Sequence, residues 1–213
     1  VTSKLTLYNG ALRELGERRL ASLSENREPL RVLNDVWDEG AVDFCLDAGI
    51  WRFAKRTVQL AAETSIAPTF GYRKAYQVPS DHIRTASFSA DEYQTVPLTQ
   101  YRFEAGYWYT DAEPLYVSYV SNGATYGGDY SLWPESFIQY VHAYLASQAC
   151  IRLSQDASLR EKLEKLVEKR LRDAASGDAM EDPTIFPPPG SWVRSRLGWG
   201  GRYDRGNRGS LIG

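Results

Sequence analysis

The chain has 213 residues, 43% of them hydrophobic and 24% charged, with a formal net charge of −2. That is ordinary globular composition, and the length allows one sizeable domain or two small ones sharing a core. So small a net charge gives no electrostatic case for nucleic acid or an anionic membrane. No apolar run approaches the roughly 18–20 residues that cross a bilayer.

The opening has no basic segment followed by an apolar core, so no signal peptide is expected. Thr2 or Ser3 can cap a first helix that carries Leu5, Tyr8, Leu12 and Leu15 on one stripe and closes at Gly16. The mostly polar link from Glu17 to Glu28 should return the chain antiparallel to a second helix. Pro29 suits the first turn of that helix, where a missing N–H costs nothing. From Leu30 the apolar positions fall at Leu33, Val36 or Trp37, Ala41, Phe44 or Cys45, and Ala48, a continuous helical stripe. Gly49 is expected to end it in a left-handed cap. Trp51 and Phe53 follow at once and should fold back into a core, with Trp37 and Phe44 as further scaffold residues.

After Ala54 the apolar period changes from 3.6 to 2, so a strand is predicted around Val58 and Leu60. Short β-like runs follow at Tyr72–Val78, Ile83–Ser89, Tyr101–Ala105, Tyr107–Thr110 and Leu115–Val120, separated by turn residues such as Pro79-Ser80-Asp81 and Ser121-Asn122-Gly123. A loose loop, Ala124–Leu132, should lead back out. Trp133-Pro134-Glu135 starts a third helix with proline at its first position. Phe137, Ile138, Val141, Tyr144, Leu145, Ala149 and Ile151 make that helix apolar on more than one side, so it should be the most buried one, with Phe137 and Leu145 in the scaffold. Ser158 can cap a fourth helix with a stripe from Leu159 to Ala174 and a solvated face of Glu161–Lys165 and Glu168–Arg172 pairs.

From Gly177 prolines and glycines forbid regular structure, yet the segment holds Ile185, Phe186, Trp192, Trp199 and Tyr203 with Arg194 and Arg196. It reads as an arm that orders on a partner. The fold class is α+β: an antiparallel bundle of four main helices (1–54 and 133–176), an inserted small antiparallel sheet or sandwich (55–132) and an extended C-terminal arm (177–213).

Taken in order, these elements resemble the phage head-to-tail adaptor family, called tail tubular protein A in short-tailed phages. The likeness runs over about residues 5–175. It begins with Leu12, Leu15-Gly16-Glu17, Leu20, Ser22-Leu23 and Glu25 ahead of the long helix. It continues with Trp51-Arg52-Phe53-Ala54, Pro68-Thr69-Phe70-Gly71-Tyr72, Ala75-Tyr76 and Pro79-Ser80-Asp81-His82-Ile83-Arg84. Leu115-Tyr116, Tyr119-Val120, Trp133-Pro134, Phe137, Leu145-Ala146 and Ala149 complete it, with a looser match at Ser191-Trp192 and Arg194. Arg52 departs from the family's usual Asn, and the Gly/Arg-rich end is not a family feature. The resemblance implies a structural virion protein of the tail or neck, made in the host cytoplasm. It implies a ring, typically dodecameric, beneath the portal protein. That ring extends the DNA channel without sequence-specific contact and receives the next tail component, a nozzle or tail-tube protein.

Residue types that carry chemistry are sparse. His82 and His142 are the only histidines, and His142 sits mid-helix beside Val141 and Tyr144. Ser80-Asp81-His82 cannot form a triad, because adjacent residues do not converge as those roles require. Cys45 and Cys150 lie in helical patterns and read as buried thiols, and two Cys with two scattered His give no zinc spacing. No catalytic, metal or cofactor-binding residue is expected. Two rival readings remain. One is nucleic-acid binding through the arm, with its arginines interleaved by Trp199 and Tyr203. The other is a cell-wall-degrading tail enzyme with a carboxylate pair, whose defining separation exists only in space.

Overall fold

The structure, a computed structural model, describes residues 2–66, 68, 71–94 and 97–181. Five helices and two small antiparallel sheets make a mixed α+β body: α1 Lys4–Leu15, α2 Glu28–Asp38, α3 Ala41–Asp47, β1 Lys55–Leu60, β2 Lys74–Gln77, β3 His82–Ser89, β4 Arg102–Glu104, β5 Tyr107–Thr110, β6 Leu115–Ser121, α4 Glu135–Ser154 and α5 Ala157–Met180. Ser3 caps α1 by accepting from the Thr6 amide, and Gly16 closes it in the left-handed region at φ 72°. The chain then returns along α1 to α2. Asn9 fixes that return by bonding both the amide and the carbonyl of Leu20.

The expected single long helix is two helices. Gly40 adopts φ 95° between them, a conformation that side chains resist, and the stripe resumes in α3. The break moves the cap as well. Gly49 is not left-handed; it leaves room for the Trp51 ring, whose atoms would lie 3.0 Å from a Cβ there. Of the two candidates for the next position of the stripe, Phe44 and Cys45, only one is inside. Cys45 is fully buried, whereas Phe44, expected in the scaffold, is 57% exposed and stacks on Tyr144 at 4.7 Å.

Helix α4 is the central element, packed against all four other helices. Pro134 stands just before its first turn as the cap, one position earlier than expected. Asp156, not Ser158, caps α5 by accepting from the Ser158 and Leu159 amides. Helix α5 runs to Met180, beyond the boundary expected at 176. Arg170 donates to the Gln139 carbonyl, so α5 lies back along α4.

The expected strands form two three-stranded sheets, ordered β1-β6-β3 and β2-β5-β4, every pairing antiparallel. Strand β6 is central and almost wholly buried. Tyr76 and Trp108 of one sheet pack with Phe88, Leu115, Val117 and Tyr119 of the other in a single core.

Candidate functional site

The helical and β parts of the body meet where Trp51 leaves α3. The Trp51 indole is buried and donates to the Cys45 carbonyl at 3.2 Å. Its ring meets Phe137 of α4 edge-on at 4.9 Å. Phe53 lies 4.8 Å from the same Phe137, and Trp133 meets Phe137 perpendicularly at 4.9 Å. Such pairs contribute about 0.5–1.5 kcal/mol each beyond their burial. Directly after Phe53 the chain enters β1, so these aromatics set the exit from helix to sheet. The far end of α5 closes the other side, with Asp178 accepting from the Arg52 amide at 3.1 Å.

A polar hub lies next to this cluster. Asp81 accepts from Arg56 of β1 at 2.7 Å, from the Tyr119 hydroxyl at 3.0 Å and from Ser121 at 2.5 Å, both of β6. Burial pushes the Asp81 carboxyl up, but the bonds from Ser121, Arg56 and Tyr119 and the Arg56 charge outweigh it and hold the carboxyl below its ordinary range. Tyr119 is raised to about 12 by burial and by its bond to that carboxylate. The loop expected to be loose, 124–132, is a packed wedge. Gly127 and Gly128 donate to the carbonyls of Ser121 and Gly123, and Trp133 donates back to Gly127 at 2.9 Å. A Cβ on Gly127 would meet the Ser121 carbonyl at 2.4 Å, and one on Gly128 the Asn122 carbonyl at 2.7 Å.

Beside the wedge is a groove of about 360 Å³ lined by Trp37, Asp38, Gly40, Asp43, Asn122 and Tyr130, among others. Trp37 is half-buried there, edge-on to Tyr8 and Tyr130. The groove offers carboxylates and an aromatic wall, and the Lys4 ammonium lies 5.1 Å from the Trp37 ring. Elsewhere on the helices Phe44, stacked on the partly buried Tyr144, and Ile151, 44% exposed, are apolar side chains at the surface.

The remaining sequence candidates fall as follows. Trp51, Phe137 and Leu145 are buried, Phe53 and Trp37 are partly buried against the same core, and Phe44 is on the surface. His82 lies edge-on to Trp108 and shares a hydrogen bond with Thr85 at 2.9 Å, while the Asp81 oxygens are bonded elsewhere, so Ser80-Asp81-His82 does not converge. Cys45 and Cys150 are free and buried, and burial pushes both thiols up, away from reactive thiolates. Among the described residues no group of three or more His, Cys, Asp or Glu is placed to hold a metal ion. No helix among them is long and apolar enough to cross a membrane. Thr69, Phe70 and the arm residues Ile185, Phe186, Trp192, Arg194, Arg196, Trp199 and Tyr203 lie outside the described residues. The sequence reading missed the Asp81 hub, whose partners stand 25, 38 and 40 positions away. Its one signal was the Pro79-Ser80-Asp81 turn.

No known protein-family model matches this chain, and no curated protein matches it significantly.

Proposed function

We propose that this chain is a structural virion protein, a head-to-tail adaptor that forms a ring beneath the portal. The observation that carries the reading is a convergence. Trp51 to Ala54, Asp81, Tyr119-Val120, Trp133-Pro134 and Phe137 bear much of the resemblance and are spread over nearly ninety positions, yet they all lie at the helix-to-sheet junction. Residues that set the angle between two parts of a subunit are those an assembly protein must keep in place.

In this reading the helices form an antiparallel bundle that stacks beside its neighbours, and the β part projects from the ring. A closed ring joins different patches of successive subunits. Exposed Phe44, stacked on the partly buried Tyr144, offers one such patch, and Ile151 of α4 is a second exposed apolar side chain. The arm from about Glu181 clips the portal or a neighbouring subunit through Phe186, Trp192 and Trp199. The far side of the ring receives the nozzle or tail-tube protein, and the genome passes through the channel.

The test is to add the purified chain to tailless, DNA-filled heads of its own virus and image them. A ring of density under the portal is expected from the full chain, and none from a chain lacking residues 182–213 that still melts normally. Heads that stay bare with the full chain would refute the reading.

A further inference from the structure

Where α1 crosses α4, the imidazole of His142 lies over Gly10. A Cβ built on Gly10 would come within 2.3–2.4 Å of three ring atoms, so any larger residue there would have to displace the imidazole. His142 is 5% exposed, and neither Nδ1 nor Nε2 has a hydrogen-bond partner. A neutral imidazole carries one donor and one acceptor, and both are left unmade here, at a standing cost to the fold.

Of the charged neighbours, two cations oppose a proton on this ring more strongly than two carboxylates favour it. Helix α1 contributes Arg13 and Glu14, α5 contributes Arg170, and α4 itself contributes Glu135. One of the two carboxylates is already engaged. Glu14 accepts from Arg170 at 3.1 Å and stands 3.6 Å from Arg13, while Arg170 also donates to the Gln139 carbonyl at 2.9 Å. An imidazolium in this place has two N–H donors without partners, a full charge and two cations near it, offset only in part by Glu135 and Glu14.

We propose that His142 is an acid-sensitive catch on the α1–α4 crossing: a proton bound to the ring drives it out of the interface and frees α1 from α4. Release would uncover Leu7, Tyr8, Ala11 and Leu12, all fully buried in the closed form. The inference rests on this crossing alone and does not depend on the proposed adaptor role.

The sign follows from linkage. Burial, then the Arg13 and Arg170 charges, lower the ring from its ordinary value to about 4 in the closed form, against roughly 6.5 once it is in water. The open form therefore binds the proton first. Closure is fully supported above about pH 6.5 and weakens as the pH falls toward 4. The opening constant should rise about thirty-fold between pH 7.5 and 5.

Hydrogen exchange on the intact chain measures this directly. After correction for intrinsic rates, opening of the α1 amides should grow about thirty-fold over that range in wild type and less than about threefold in His142→Phe. Equal growth in both proteins would overturn the proposal. Should His142→Phe not fold, the His142 ring resonance in wild type decides. An inflection well below pH 6, with α1 protection lost in step, supports the catch; titration near 6.5 with α1 protection intact refutes it.

Discussion

The helical and β parts of this body solve the problem of buried polar groups in opposite ways. In the sheets the buried polar side chains are bonded: Ser118 to Thr57 at 3.0 Å, Thr110 to the Gln100 carbonyl at 3.1 Å, and Ser121 to Asp81. In the helices the core is nearly all apolar, and its conspicuous polar member, His142, is bonded to nothing. A helix satisfies its backbone internally, so packing alone can hold it to its neighbours. Short strands cannot do that. Strand β3 slips register twice against β6, between His82 and Arg84 and between Thr85 and Ser87, and side-chain bonds to Asp81 help hold that edge in place.

The largest expected effect lies in the apolar part. Trp51→Ala should cost about 3–5 kcal/mol, because it leaves a cavity against Phe137 and Tyr140 and orphans the Cys45 carbonyl. Chemical denaturation reads this as a lower midpoint, and an unchanged midpoint would erase the contrast at its strongest point.

Next comes the polar hub. Asp81→Asn should cost about 1–3 kcal/mol, since Arg56 loses its charged partner and the Tyr119 and Ser121 bonds weaken. The pH dependence sharpens the assignment. The folded-state carboxyl lies below its ordinary value, so its contribution is present above about pH 4 and drains as the pH falls through the folded value. Wild type and variant should therefore differ by a constant amount above about pH 5 and converge in stronger acid.

The smallest effect on folding belongs to Phe44. With 57% of the residue exposed, Phe44→Ala should lose little beyond its stacking on Tyr144, at most about 1.5 kcal/mol. In the proposed ring, assembly should suffer far more than the melting temperature. Normal assembly of this variant would remove the Phe44 face from the subunit contact.

What the sequence revealed follows the same division. Apolar spacing located α1, α4 and α5, because a buried stripe is a local pattern. The same stripe hid the break at Gly40: burial direction continues across the kink, so Leu33, Ala41 and Cys45 keep helical spacing while the backbone does not. Phe44 was misplaced because both Phe44 and Cys45 fit that spacing, and only Cys45 turns inward. Alternation and turn residues located all six strands, but strand order was invisible, since β6 returns between β1 and β3 from distant positions. The wedge read as a loose loop because its glycines signal freedom in a sequence, whereas here they mark close approach to the Ser121 and Asn122 carbonyls. His142 was legible as a helical histidine. Its lack of partners was not, because that depends on Gly10 from another helix.

The central claim is that this chain closes into a ring on a portal. Native mass measurement of the purified portal mixed with this 24.0 kDa chain tests it most directly. The account predicts one discrete complex carrying a full ring of copies, about twelve, with no partly filled species at saturation. A portal that gains no mass, or gains only a scatter of one or two copies, would contradict it.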